Sequence, residues 1–270
     1  IGRSDYKLIV IHGSSGVGKS SLVNAGLVPL LRKQRIGIQD NLVVLVRTYS
    51  TDWLADLAER FSQELQKLRR GSMAAMTLAS SPGSFSQEEN PSSPGSFSPG
   101  RRGDEAEILR ELGLSEARVV RTVLIFDQFE EFFFANPDRL QWRQFFEFVG
   151  RCLAIPYVKV VLSLREDYIH YLLEANRLDS MSAVGHDILG RNVLYGLGNL
   201  SLPHAKAAIH DLTERSRFRL QSELIDQLVK DLGGELEEVR PIEMQIVGAQ
   251  LQTMGITTLE GYQELGESPK

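Results

Sequence analysis

Apolar residues fall along this chain in two alternating rhythms. The first is a short run apolar at nearly every position: Leu8-Ile9-Val10-Ile11 within 7–12, Leu42-Val43-Val44-Leu45-Val46 within 41–49, then 119–127, 158–164 and a looser run over 192–197. Such runs predict strands covered on both faces, as a parallel sheet between two helical layers requires. The second rhythm is helical. Leu54, Leu57, Ala58, Phe61, Leu65 and Leu68 predict an amphipathic helix over 52–70 with Asp52 available as its cap. Leu140, Phe145, Phe146, Val149 and Leu153 predict another, with Asn136 as cap and Pro137 at its first position. Shorter helices are predicted over 20–36, bent or restarted at Pro29, and over 104–114 and 168–176. Beyond the fifth run the spacing is helical throughout, over 203–215, 222–232 and 241–254. The pattern predicts an α/β domain over 1–200, a parallel sheet flanked by helices, followed by a small helical domain over 201–270.

One stretch breaks both rhythms. Residues 71–103 are rich in Ser, Pro and Gly, and Ser81-Pro82-Gly83-Ser84-Phe85-Ser86 returns as Ser93-Pro94-Gly95-Ser96-Phe97-Ser98. A repeat this poor in apolar residues cannot bury enough surface to offset its ordering entropy, so it reads as a disordered insertion on the rim of the domain. Its serines beside prolines suit a phosphorylated or partner-binding loop as the alternative. The 270 residues carry a net charge of -5 and no long basic run, which argues against nucleic acid as the main partner. The single cysteine, Cys152, reads as a buried thiol, and the five histidines show no metal-ligand spacing. No apolar run reaches the roughly 18 residues of a membrane span and nothing resembles a signal peptide, so a soluble cytoplasmic protein is expected. The chain begins at Ile1 rather than Met and reads as a piece of a larger protein.

Chemistry enters at the end of the first run. Gly13-Ser14-Ser15-Gly16-Val17-Gly18-Lys19-Ser20 lies between a predicted strand and a predicted helix beginning at Ser20-Ser21, the context and spacing of a phosphate-binding P-loop. Glycines let backbone N–H groups converge on phosphate oxygens at a helix N-terminus. Lys19 is then placed to neutralise β- and γ-phosphates, and the Ser20 hydroxyl to ligate Mg²⁺. The run over 119–127 ends in Asp127, with Glu130 and Glu131 just beyond. An apolar strand ending in an acid is the pattern of a Walker B element, in which Asp127 holds Mg²⁺ and Glu130 or Glu131 orients and deprotonates water. The run over 158–164 ends in Arg165, which at the tip of a strand beside the P-loop strand can point at a γ-phosphate or pair with Glu166 or Asp167. Phe132 to Phe134 suit packing beneath this loop better than stacking on adenine.

With these residues together, the chain resembles the STAND class of P-loop NTPases, within the wider AAA+/STAND-like group, and most closely its NACHT-like and novel STAND branch. The resemblance rests on 13–27, on Leu124-Ile125-Phe126-Asp127-Gln128-Phe129-Glu130-Glu131 and on Leu162-Ser163-Leu164-Arg165-Glu166-Asp167-Tyr168. More loosely it includes Arg240-Pro241-Ile242-Glu243-Met244, where Pro241 resembles the proline the family sets against the nucleotide base. The resemblance implies ATP and ADP as ligands with Mg²⁺, Arg165 as the sensor arginine, and a winged-helix domain, repeat sensor and effector outside this segment. It also implies a slow ATPase switch that is closed and monomeric with ADP and homo-oligomeric with ATP, a device bacterial relatives use in antiphage defence. A DNA-handling ATPase like the origin initiators, and a scaffold that binds nucleotide without hydrolysing it, remain the alternatives.

Overall fold

The computed structural model describes residues 6–34, 40–47, 49–79, 101–114, 120–175, 177–179 and 188–267. They form two compact units: Ile1–His12 with Ser20–Tyr195, and Gly13–Lys19 with Gly196–Lys270.

The first unit is built on a five-stranded parallel sheet of β1 (Leu8–Gly13), β2 (Asp40–Val46), β3 (Val120–Phe126), β4 (Val158–Arg165) and β5 (Leu194–Gly196), in the order β2-β3-β4-β1-β5. The continuous apolar runs are explained by what covers them. On one face Leu8, Val10, Val44, Leu124, Phe126, Val160 and Leu162 pack against α3 (Trp53–Ala79), α4 (Arg101–Gly113) and α6 (Arg139–Ala154). The alternate residues Ile9, Ile11, Val43, Val123, Ile125 and Val161 meet Val23, Val28 and Leu31 on the other face. Val23 belongs to a helix that starts as α1 (Lys19–Ser21), widens into a π-helical stretch (Leu22–Leu27) and resumes as α2 (Val28–Lys33). The restart falls where Pro29 enters the first turn of α2, because a ring nitrogen has no N–H to continue the ladder.

Several boundaries differ from the pattern's expectation; the helix expected from Tyr168 opens as a 3-10 helix (Glu166–Tyr171) before α7 (Leu172–Ala175). The helix expected to end at Arg70 runs on to Ala79, through Met73, Ala74, Ala75, Met76 and Leu78, all good helix formers, and α4 opens at Arg101. Of the expected 71–103 insertion, 80–100 lie outside the described residues, as do the expected stop at Gly37 and the helix end at Asn176. The cap of α6 is Asp138 rather than Asn136: its side chain accepts Leu140 N–H at 2.9 Å. Asn136 is fully buried instead, its amide donating to Phe132 O at 3.0 Å and Ser50 O at 3.2 Å.

The second unit contains α8 (Leu202–Glu214), α9 (Ser222–Gly233), α10 (Pro241–Met254) and α11 (Leu259–Glu267). Between them a short antiparallel ladder joins β6 (Leu200–Ser201) to β7 (Glu238–Val239). Its core has two parts. Ala205, Ile225, Val229 and Val239 form one, and Leu224, Leu228 and Leu251 the other, so α9 is buried on two sides. Among the described residues no helix is long and apolar enough to cross a membrane.

Candidate functional site

The glycine-rich loop follows β1 and belongs to the second unit. Gly16 and Gly18 sit at φ +80° and +98°, conformations that a side chain would strain. A Cβ on Gly16 would also lie 2.7 Å from Ile242, and one on Gly18 4.0 Å from Pro241. The start of α10 therefore packs on the loop, and Pro241 is beside Gly18. Val17 is buried and Ser15 exposed. Lys19 is buried, with its ammonium donating to Gly13 O at 2.8 Å and Ser14 O at 2.9 Å. A phosphate held by this loop would offer that ammonium an anionic partner.

In the first unit the structure gathers side chains around Asp127, which is 1% exposed at the end of β3. β2 and β3 run in parallel register with Val46 opposite Phe126, and Asp127 N–H donates to Val46 O at 2.9 Å. Among the described residues, three side-chain donors meet the carboxylate. Ser20 Oγ lies 3.2 Å from Oδ1, Asn24 Nδ2 3.3 Å from Oδ2, and Arg47 Nε 3.6 Å from Oδ2. Asn24 also donates to Ser20 O at 2.6 Å, tying the helix to the acid. The Tyr49 hydroxyl donates to Asp127 O at 2.8 Å. Burial first, then the Asp127 and Glu130 carboxylates, push its phenol well above the ordinary 10.0, so it stays a donor.

The chain turns sharply after Asp127. Gln128 adopts φ 55°, rare for a side-chain-bearing residue, and Phe129 N–H donates to Ser163 O of β4 at 2.7 Å. The turn starts α5 (Glu130–Ala135) with both acids in its first turn, where negative charge suits the helix dipole. They differ sharply in setting. Glu130 is 8% exposed and its Oε2 accepts Arg165 N–H at 3.2 Å, whereas Glu131 faces solvent. The Arg165 guanidinium is paired with Asp167, whose hydrogen bond raises its pKa, and lies 5.5 Å from the Tyr168 ring centre. Ser21 is exposed.

Residue patterning had no signal for Asn24, Arg47 or Tyr49, because they reach Asp127 through helix pitch and strand register rather than through a motif. The donor set suits Mg²⁺: a hard cation held by one carboxylate and one hydroxyl leaves its other positions to phosphate and water. Among the described residues no cluster of three or more His, Cys, Asp or Glu offers an all-protein metal cage.

Solved structures with the same fold include the ORC2 protein of Aeropyrum pernix, solved as ADPNP–ADP complexes. It is 11% identical at a TM-score of 0.56, with 96% of this chain and 60% of that one covered. A Walker-type ATPase of Pyrococcus abyssi is 15% identical at a TM-score of 0.58, with 93% and 64% covered. This chain thus spans less than two thirds of the length of either. No curated protein matches the sequence. The family model described as Novel STAND NTPase 1 matches residues 2–268, and with a P-loop, a strand-terminal acid and a parallel sheet in place, the chain belongs to that family of nucleotide-binding NTPases.

Proposed function

We propose that this chain is the nucleotide-binding core of a regulatory ATPase that binds ATP or ADP with Mg²⁺, hydrolyses ATP slowly and controls self-association of a larger protein. One observation carries the reading: Ser20 Oγ lies 3.2 Å from Asp127 Oδ1. This joins the last residue of the phosphate-binding motif to the strand-terminal acid, and these are the oxygen donors that a P-loop protein offers to Mg²⁺. Bound there, Mg²⁺ would neutralise charge on the phosphate oxygens. Residues 13–21, with Pro241 beside Gly18, would hold the nucleotide, and Lys19 would supply positive charge to its phosphates.

Of the two acids, Glu130 takes the role of orienting water and holding its proton. Its burial and its bond to Arg165 N–H fix it in place, whereas Glu131 faces solvent. Arg165 reads the γ-phosphate by exchanging Asp167 for it. A switch between about 1% and 99% open needs roughly 5.5 kcal/mol of bias, and charge-assisted contacts made only with ATP contribute towards that. Effector and sensor domains beyond this segment and a part in antiphage defence belong to the same proposal on the family resemblance, and a cytoplasmic setting belongs to it on the sequence's lack of a long apolar run or signal peptide.

Calorimetric nucleotide binding and phosphate release test the reading in the parent, Lys19→Ala and Glu130→Gln. Lys19→Ala is expected to lose nucleotide affinity. Glu130→Gln should keep affinity and lose about 10²-fold or more in turnover, the usual size of a general-base contribution. Light scattering should show larger particles with an ATP analogue than with ADP. Tight binding with no turnover in the parent would make the chain a scaffold, and DNA-stimulated turnover would make it a DNA-handling ATPase.

A further inference from the structure

Asp127 is a buried carboxylate, and buried charge is retained only where it is compensated. Of its three side-chain donors among the described residues, Ser20 and Asn24 are neutral and Arg47 carries the charge that meets it. Arg47 owes that position to the sheet. It is the first residue after β2, Val46 pairs with Phe126, and the bond from Asp127 N–H to Val46 O locks the next residues side by side. Its side chain is nevertheless 47% exposed, so the guanidinium can turn into water without breaking the core. At 3.6 Å it forms an ion pair without being a tight hydrogen-bond partner, and it shares Oδ2 with Asn24.

We propose that Arg47 is the built-in counter-ion of the cation site: it neutralises Asp127 before a divalent cation binds, yields the carboxylate when one does, and thereby sets cation affinity. This rests on the reading of Ser20 and Asp127 as the protein ligands of Mg²⁺. A guanidinium and a divalent cation on one carboxylate repel each other, and the cation must displace the guanidinium outward before it gains the full attraction of Asp127. The displaced group stays within reach, so loss of the cation is answered by its return. Arg47 is thus a positioning residue that tunes the cation requirement and takes no part in the transfer of the phosphoryl group.

The test is Mn²⁺ binding in the presence of ADP, read by electron paramagnetic resonance, for the parent, Arg47→Gln, Arg47→Lys and Asp127→Asn, with ADP affinity measured separately in EDTA. Arg47→Gln is expected to bind Mn²⁺ about three- to tenfold tighter, as loss of one partly exposed like charge implies. Arg47→Lys should stay near the parent. ADP affinity in EDTA should not change, and the melting midpoint of Arg47→Gln should fall below the parent in EDTA but match it with saturating Mn²⁺ and ADP. Unchanged or weaker Mn²⁺ binding in Arg47→Gln overturns the proposal while leaving the site intact. Weaker ADP binding in EDTA also overturns it, since Arg47 would then be a phosphate ligand. If Asp127→Asn binds Mn²⁺ as the parent does, the cation site itself has been misread and the proposal falls with it.

Discussion

Tyr49 shows how much one residue outside any motif can decide. Its hydroxyl holds the backbone oxygen of Asp127, and its ring meets Phe129 and Phe132 edge-on at centre distances of 6.1 and 6.2 Å. One side chain therefore links the acid to the aromatic core beneath it. Tyr49→Phe keeps the ring and removes the hydrogen bond, leaving a carbonyl with one partner fewer, and is expected to cost about 1 kcal/mol. It should also change the alkaline limb of stability. The native phenol titrates well above 10.0 while the unfolded one titrates near it, so at high pH the native state binds more protons than the unfolded state. Stability must then fall as pH rises past about 10. The buried Cys152 thiol and the Tyr262 phenol, both raised chiefly by burial, push in the same direction. Urea midpoints measured at neutral and alkaline pH should show a smaller alkaline drop in Tyr49→Phe than in the parent; an equal drop would mean that this phenol is not the group responsible.

Among the elements, α5 is the one that fixes the geometry beside Asp127. It is a single short helix, and its aromatic residues have opposite fates. Phe132 is fully buried, stacking on Phe129 at 5.1 Å and meeting Phe145 at 4.7 Å, while Phe134 is 59% exposed. The buried ring anchors the helix that carries Glu130, so Phe132→Ala is expected to cost about 3–5 kcal/mol, the usual range for a core phenylalanine. Phe134→Ala should stay within about 0.5 kcal/mol, as surface changes do. Chemical denaturation measures both, and equal losses would mean that the helix is held by something other than its inward face. Much at this scale was legible in the pattern. A run apolar at every position has few other homes than a strand covered on both faces, and β1 to β4 lie where such runs fall. The β6–β7 ladder was not legible, because Leu200-Ser201 and Glu238-Val239 are too short to carry a period. The start of α6 departs from the pattern for a different reason: Asn136 is a good capping residue by type, but burial against Phe132 and Ser50 claims its amide, and its backbone oxygen accepts the Trp142 indole N–H.

Taken whole, the molecule keeps its candidate chemistry at the carboxyl ends of parallel strands, where β1 runs into the glycine loop, β2 into Arg47, β3 into Asp127 and β4 into Arg165. The glycine loop, Asp127 and Arg165 were readable from spacing, whereas Arg47 carried no signal. The mutual distances of these residues were not readable, because strand register brings together residues far apart in the chain, such as Arg47 and Asp127. The same logic bears on the low-complexity repeat. The helices on either side of it, α3 and α4, are tied by their own packing. Leu57, Ala58 and Phe61 of the one and Ile108 and Leu112 of the other belong to a single core, and Arg69 of α3 bonds Glu111 of α4 at 3.3 Å. Their pairing therefore does not depend on what connects them. Replacing 80–100 by a short Gly/Ser linker is expected to leave nucleotide affinity unchanged. It should leave stability equal or slightly higher, since closing a shorter loop costs less entropy, by about 0.6 kcal/mol for each halving of length. Calorimetry with ADP and a thermal melt on the same sample decide the matter. A more than severalfold loss of affinity with an unchanged melt would make the repeat a contributor to binding, whereas a large fall in the melting midpoint would mean that it holds α3 and α4 together.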